Sequence, residues 1–187
     1  MKTLRTHLIA LLVGIVTLVA GTSSATAQRD ASDKAFEQML RAIDTVPTRP
    51  AMEKRWPNIQ ERLLTAAHQE TRDTYTRSRA VSLLSFFPDA TSRSALKALS
   101  VHAQSRIRSI SIYTLARTFG VPGDKELLAT IEARLTDAVR DVQAQAIRGL
   151  RWVRHPRAAT LLSEVSKNAT DKMLKRLAEK TLQRRRF

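Results

Sequence analysis

The sequence predicts an all-α protein assembled from a short series of helical hairpins. Apolar residues between Asp124 and Arg154 fall into two sets, each with the spacing of one helix face. A pair of neighbouring apolar residues also recurs along the chain, with steps of 32, 32 and 34 residues. The pairs are Leu63 and Leu64, Ala95 and Leu96, Leu127 and Leu128, and Leu161 and Leu162. Such repetition predicts stacked units, because one hairpin alone cannot bury both of its apolar faces.

The first 27 residues have the features of an export signal. Lys2 and Arg5 precede an uncharged run of 14 residues, Leu8 to Gly21, and Ala25-Thr26-Ala27 is a small-x-small cleavage site. A membrane-spanning helix needs about 20 apolar residues, which makes a permanent anchor the weaker interpretation. We therefore predict a signal peptide at 1–27, a mature chain from Gln28 without a transmembrane segment, and location in a bacterial periplasm or outside the cell.

Residues 28–57 are predicted to form an N-terminal capping helix and a proline-rich connector. After a loose polar start, Ser32 or Asp33 can begin a helix by accepting hydrogen bonds from its first amides. The apolar face of this helix consists of Phe36, Met39, Leu40 and Ile43. Prolines in the run from Thr45 to Pro57 predict a connector or a short broken helix. The segment lacks the repeat spacing, as terminal units of repeat proteins commonly do.

Four hairpins are predicted in the remaining domain, 58–187, at 58–87, 91–119, 124–154 and 157–184. In the third hairpin Leu135 ends the first apolar stripe, and Asp137 is expected to cap the second helix. In the last hairpin Glu179 stands where the others have an apolar residue, which suits a C-terminal cap with a hydrated outer face. Residues Arg184 to Phe187 are expected to be frayed.

The second helices share four aligned positions. An aliphatic or β-branched residue comes first, and the four residues are Thr76, Ile107, Val142 and Leu174. The residue directly after it is Arg77, Arg108, Gln143 and Lys175 in the four copies. A small residue follows, and its copies are Ala80, Ser111, Ala146 and Ala178. A leucine completes the stripe at Leu84, Leu115, Leu150 and Leu182. The small residues predict close approach of neighbouring helices, to roughly 8 to 10 Å.

These patterns over Asn58 to Arg184 resemble the HEAT repeat family. In that family the first helix carries a leucine pair, and the second opens with Asp, an aliphatic residue and Arg before a small residue and Leu. The third copy matches best through Asp137, Val142, Ala146 and Leu150, but Gln143 replaces the usual Arg. Armadillo-like and bilin-lyase-type repeats are neighbouring alternatives. The resemblance implies a right-handed α-α superhelix, a short solenoid whose second helices line its concave face.

Positive charge is concentrated on the second helices. Removing Lys2 and Arg5 from the formal charge of +15 leaves +13 on the mature chain. The second helices and C-terminal tail carry 17 basic residues against 4 acidic ones, whereas the first helices carry 7 against 6. If the second helices are concave, they form a basic trough that attracts an anionic partner. The residues expected to bind this partner are Arg77, Arg108, Arg140, Arg148, Arg151 and Lys175.

Residues suited to catalysis or metal binding are sparse. The absence of cysteine excludes disulfides and a lipid anchor on an N-terminal cysteine. His68, His102 and His155 fall on different hairpins without metal-ligand spacing, and His68 with Glu70 suggests a surface pair. Trp152 lies among arginines, where core packing or stacking on a guanidinium or ligand can explain it. The sequence therefore predicts no enzyme activity, no cofactor and no metal.

Two functions compete for a basic helical-repeat protein. The first is an exported, non-enzymatic scaffold that binds a protein or other anionic macromolecule, such as an acidic protein segment or an envelope polymer. The second is nucleic-acid binding, as in base-excision DNA glycosylases built on HEAT-like repeats. Export disfavours the second, because chromosomal DNA is absent from the envelope. Chromophore-lyase activity has no supporting residue. The sequence leaves the partner's identity and the oligomeric state open.

Overall fold

A computed structural model describes residues 26–185 of the chain. Within these residues the protein forms ten α-helices and one short 3-10 helix, and it has no β-strand. The predicted all-α class is therefore confirmed. The expected signal peptide lies, except for its last two residues, outside the described part of the chain. Contacts divide the chain into two units, one ending at Val46 and the other beginning at Pro47.

The described part of the first unit consists mainly of helix α1, which includes residues 26–41. Phe36 and Leu40 are buried, as the predicted apolar face requires, whereas Ile43 follows the helix and is 77% exposed. The expected loose start at Gln28 is wrong, because residues 28–31 are already helical. Ser32 and Asp33 therefore lie inside α1 and do not begin it.

The second unit begins with a short helix, α2, at Arg49–Arg55. Thr48 precedes it and accepts a hydrogen bond from the amide of Ala51. Pro50 occupies the first turn, where a missing N–H leaves no helical hydrogen bond unmade. Of the two alternatives expected for the proline-rich run, a connector or a short broken helix, the structure has a short helix, which is unbroken and buries Met52.

Eight helices follow as four hairpins, as the apolar repeat predicts. They are α3 (Ile59–His68), α4 (Thr74–Leu83), α5 (Ala90–Leu99), α6 (Ser105–Phe119), α7 (Lys125–Glu132), α8 (Arg140–Gly149), α9 (Pro156–Asn168) and α10 (Lys172–Gln183). A 3-10 turn, Leu84–Phe86, extends α4. Each first helix packs against the second helix of its own hairpin. Between hairpins, the second helices contact one another in order: α4 with α6, α6 with α8, and α8 with α10.

Aspartate carboxylates begin half of these eight helices. Asp73, Asp89, Asp124 and Asp171 each accept a hydrogen bond from a first-turn amide. The expectation that Asp137 caps α8 is wrong, since Val139 precedes that helix and no side chain caps it. Helix α7 also ends at Glu132, before Leu135, because the amides of Arg134 and Leu135 bond back three residues and form tight turns.

The aligned positions are buried as their register predicts. Leu96 and Leu162 are fully buried, and Leu128 is 6% exposed. The small residues Ala80, Ser111, Ala146 and Ala178 all have 0% exposure. Glu179, which replaces an apolar residue in the last hairpin, is exposed. The repeat therefore organises a core that runs through all four hairpins.

Helices α6 and α8 approach each other closely at two glycines. A Cβ atom on Gly149 would lie 2.9 Å from the Cβ of Ala116. A Cβ on Gly120 would lie 2.3 Å from the backbone oxygen of Trp152. The amide of Arg154 donates to the carbonyl of Gly120 at 2.7 Å. These contacts fix the end of α8, and with it Trp152, against the end of α6.

Candidate functional site

The second of the four aligned positions has one structural role in all four hairpins. Its residues are Arg77, Arg108, Gln143 and Lys175. Each of its side chains donates to a backbone carbonyl at the end of the first helix, or in the turn, of its own hairpin. The bonds are Arg77 Nε to Ala67 O at 3.1 Å, Arg108 Nη1 to His102 O and Ala103 O at 2.8 Å each, Gln143 Nε2 to Asp137 O at 2.6 Å, and Lys175 Nζ to Lys167 O at 3.0 Å. These contacts satisfy carbonyl groups that a helix end leaves without helical partners.

Arg77 is buried and cannot meet a partner at the surface, which corrects the expectation for this residue. Only 1% of it is exposed. Its other two nitrogen atoms lie 3.2 Å from Gln104 Oε1 and 3.0 Å from His102 Nε2, in the next hairpin. Burial and the Arg77 charge hold the pKa of His102 below its ordinary value. Arg77 thus joins the turns of the first two hairpins.

Arg108 joins the second hairpin to the third in the same manner. Its Nε and Nη2 atoms donate to both carboxylate oxygens of Asp137, at 3.0 and 2.9 Å. The Arg108 side chain is 14% exposed, and that of Asp137 is 5% exposed. The Arg108 hydrogen bonds hold the pKa of Asp137 below its usual range, and the amide of Val139 assists at 3.0 Å. Arg108 is therefore occupied by structural contacts and also departs from its expected role.

The other expected binding residues separate into two groups. Arg140 is 65% exposed and lies 3.8 Å from the Asp171 carboxylate. Lys175 lies near this end of α8, because it follows the Asp171 cap. Arg148 is exposed two helical turns further along α8, which is about 12 Å at 1.5 Å per residue. The structure therefore places Arg148 and Arg151 in a different region from Arg140.

Arg148 and Arg151 lie in a pocket between the second helices of the last three hairpins. Its volume is about 170 Å³. We call it the Trp152 pocket, and it is lined by Tyr113, Arg148, Arg151, Trp152, Leu177, Lys180, Thr181 and Arg184. Its lining thus contributes four cationic side chains and no carboxylate from the described residues. Such a site favours an anion with an apolar neighbouring group.

Arg151 is held in the pocket from two directions. Its guanidinium carbon lies 5.1 Å from the centre of the Trp152 ring, and its Nε donates to the carbonyl of Arg184 at 3.1 Å. Arg117 also lies over this ring, at 5.9 Å. Core or inter-repeat packing was the favoured role for Trp152, but the ring is only half-buried and contacts neighbouring guanidinium groups, which was the alternative. The ring therefore orients Arg151.

Arg185, which follows the pocket residue Arg184, bonds to the turn after α8. Arg185 donates from Nη1 to Leu150 O at 2.7 Å and from Nη2 to Val153 O at 3.2 Å. Burial lowers the pKa of Arg185. Its side chain holds the turn after α8, so the expected fraying is wrong at this residue. Arg186 and Phe187 lie outside the described residues.

Lys180 and Arg184 belong to the basic excess of the second helices and tail but were not among the expected binding residues. Both lie on or directly after α10, four positions apart, and such positions share one helix face. Arg148 and Arg151 are three positions apart at the end of α8. Two basic residues three or four positions apart, present in each of two consecutive second helices, form a sequence pattern that could have predicted the four-cation cluster. The contact between α8 and α10 brings the two pairs together.

Several basic side chains of the first helices are paired with acidic residues. Arg93 lies 2.6 Å from Asp124, and Lys97 pairs with Glu126. Arg157 contacts Glu132 at 3.3 Å and Glu164 at 2.6 Å. Within residues 26–185, no ion pair involves Arg148, Lys180 or Arg184. In this part of the chain, the positive charges of these three pocket residues are therefore not neutralised by an ion pair.

No family model matches the chain, and no curated protein matches it either. The resemblance to HEAT repeats accordingly rests on the aligned residues alone. Across residues 26–185, no helix is both long enough and apolar enough to cross a membrane.

Proposed function

We propose that this protein is an exported, non-enzymatic solenoid of the HEAT type that binds an anionic macromolecule along its second helices. The partner is an acidic protein segment or an anionic envelope polymer. The order of contacts supports the solenoid, because consecutive second helices pack on one another through all four hairpins. The first helices contact one another less. This difference favours a curved stack with the second helices on the inner side.

The observation that carries the proposed function is the charge of the Trp152 pocket. Four cations surround it without a carboxylate in its described lining, while first-helix cations such as Arg93 and Arg157 are ion-paired. Closely spaced like charges repel one another, and an anionic partner relieves that repulsion. The proposed surface therefore centres on Arg148 and Arg151 with Lys180 and Arg184, and it extends toward Arg140 and Lys175.

Export remains a proposal from the first 27 residues. Its support is the sequence of Lys2 and Arg5, an uncharged segment, and a small-x-small site. N-terminal sequencing of the exported protein tests it directly. A first residue at Gln28 supports cleavage after Ala27, and an intact N-terminus contradicts it.

Capture from envelope extract tests the binding function. The test variant carries Arg148→Glu and Arg184→Glu, which reverse two exposed pocket charges. The control carries Lys125→Glu and Lys167→Glu, which change the net charge equally at exposed first-helix positions. We expect the control to retain an acidic protein or polymer that the test variant loses. Equal capture by both variants contradicts a specific second-helix surface.

The same variants separate this function from nucleic-acid binding. Binding to duplex DNA weakens steeply with salt because bound cations return to the phosphates. We expect the wild-type protein to prefer its envelope partner at physiological salt. Retention of duplex DNA there, with loss in the Arg148→Glu and Arg184→Glu variant, would instead support the nucleic-acid alternative.

A further inference from the structure

The Trp152 pocket is too small for a whole macromolecule but has room for one charged group. Its volume of about 170 Å³ is below the roughly 300 to 1,000 Å³ of pockets that enclose a drug-sized ligand. Its cations come from two consecutive second helices, and Tyr113 adds an aromatic side chain from a third. These dimensions suit a compact anionic group attached to a larger molecule that extends outward.

We propose that this pocket binds the phosphoryl group of a phosphate monoester. The inference rests on the proposed anion-binding function and specifies the chemical group that the second-helix surface receives. A phosphate monoester carries about two negative charges near neutral pH and offers three acceptor oxygens. A carboxylate or phosphodiester carries one. The doubly charged group best offsets a cluster of four cations that has no carboxylate in its described lining.

Arg151 is the group best prepared to contact the phosphoryl oxygens. Its guanidinium stacks on Trp152, and its Nε already bonds to the Arg184 carbonyl. Within residues 26–185, its two terminal nitrogens have no hydrogen-bond acceptor. A guanidinium held in one plane can donate two parallel hydrogen bonds to phosphate with less loss of side-chain freedom. Arg148, Lys180 and Arg184 then supply further positive charge from the exposed rim.

The apolar part of the lining suits the carbon atoms next to the phosphate. Tyr113, Trp152 and Leu177 line the same pocket as the cations. Two faces of contact, one charged and one apolar, favour a phosphate ester over inorganic phosphate. The comparison of these two ligands therefore distinguishes a free ion from a phosphoryl group carried on an organic molecule.

The test is a titration of the purified protein followed through the indole N–H resonance of Trp152. The protein has two tryptophans, and a Trp152→Phe variant assigns the resonance. The probes are glycerol 3-phosphate, inorganic phosphate, dimethyl phosphate and acetate, each at pH 8 and constant ionic strength. We expect saturable shifts with glycerol 3-phosphate and inorganic phosphate, and tighter binding of glycerol 3-phosphate than of inorganic phosphate. Dimethyl phosphate and acetate should bind more weakly, by at least about threefold.

The Arg184→Gln variant tests the assigned side chains. This change removes a rim charge but keeps the backbone carbonyl to which Arg151 donates. Arg176→Gln is the matched control, because Arg176 is exposed on the same helix and does not line the pocket. We expect weaker phosphate binding only in Arg184→Gln, by roughly threefold, as for loss of one exposed ionic contact.

The outcomes distinguish this inference from the proposed function. The phosphoryl site is contradicted if glycerol 3-phosphate and inorganic phosphate give no saturable shift, or if dimethyl phosphate binds as tightly as inorganic phosphate. Either result overturns the site even if the wild-type protein still captures an acidic macromolecule. Equal weakening in Arg184→Gln and Arg176→Gln also overturns it, because nonspecific screening then explains the shift. Phosphate binding with no macromolecule captured supports the pocket and contradicts the wider function.

Discussion

The Arg108–Asp137 pair provides the sharpest prediction about stability, because it joins two hairpins through nearly buried charges. Replacing Asp137 with asparagine keeps the shape but removes the negative charge and one acceptor oxygen. Arg108 currently donates to both oxygens, at 3.0 and 2.9 Å. The asparagine side chain of the variant can keep one of these bonds. The variant therefore loses one charge-assisted hydrogen bond. It also loses the negative charge that faces the Arg108 guanidinium, which is only 14% exposed. We expect destabilisation of about 2 to 3 kcal/mol.

Urea unfolding at pH 7 measures this loss, and thermal unfolding should show a decrease in melting temperature of roughly 5 to 10 °C. Asp141→Asn is the control, because Asp141 is an exposed aspartate in the first turn of α8. We expect the control to change stability by less than about 0.5 kcal/mol. Equal effects of the two substitutions would refute a structural role for the Arg108–Asp137 pair.

The pH dependence gives an independent check on the same pair. Hydrogen bonds from Arg108 lower the pKa of Asp137 in the folded protein. A carboxyl group with a lowered folded pKa stabilises the protein above its unfolded pKa of about 4 and loses that contribution as pH falls through the folded value. The stability difference between wild type and Asp137→Asn should therefore shrink on acidification below about pH 4. A difference that is constant down to pH 2 contradicts this cause.

Three further substitutions test the core, each by urea unfolding. Ser111→Ala should stabilise by about 1 kcal/mol, because the buried Ser111 hydroxyl has no hydrogen-bond partner in residues 26–185 and the three aligned positions are alanine; lower stability contradicts this. Ala146→Leu should destabilise by about 1 to 3 kcal/mol through overpacking, and an unchanged urea midpoint would show that the aligned positions have the wrong register. Arg77→Ala should destabilise by about 3 kcal/mol, because Arg77 is buried. Its control is Arg140→Ala at an exposed position, which should change the free energy of unfolding by less than about 0.5 kcal/mol. Similar effects of the two substitutions would contradict a structural role for Arg77.

The all-α class and the hairpin pairing followed from the sequence because apolar periodicity directly reports which helix faces are buried. Leu96, Leu128 and Leu162 show this, since the repeat steps of 32 and 34 residues predicted that all three are buried. The positions of charged residues predicted their roles less well. The sequence pattern of an arginine is the same whether its side chain is exposed to solvent or, like that of Arg77, bonds to a carbonyl at the end of the preceding helix.

The candidate site depended on contacts between hairpins, which local pattern does not encode. Arg148 and Arg151 were selected from the basic excess, but their neighbours Lys180 and Arg184 come from the next hairpin. The structural use of Asp137 was likewise hidden, because its partner Arg108 lies 29 residues earlier in the chain. Helix α1 was predicted to begin too late, since Ser32 and Asp33 resemble caps although helix can continue through them.

The central claim is that the free positive charge of the second helices gathers at the Trp152 pocket and receives an anionic partner there. Side-chain Nε–H spectra of the arginines, recorded with polyglutamate as the probe, test it most directly. We predict shifts for Arg148, Arg151 and Arg184, with Arg77, Arg108 and Arg93 unchanged. Shifts distributed evenly over all exposed arginines, or concentrated on the first helices, would contradict the claim.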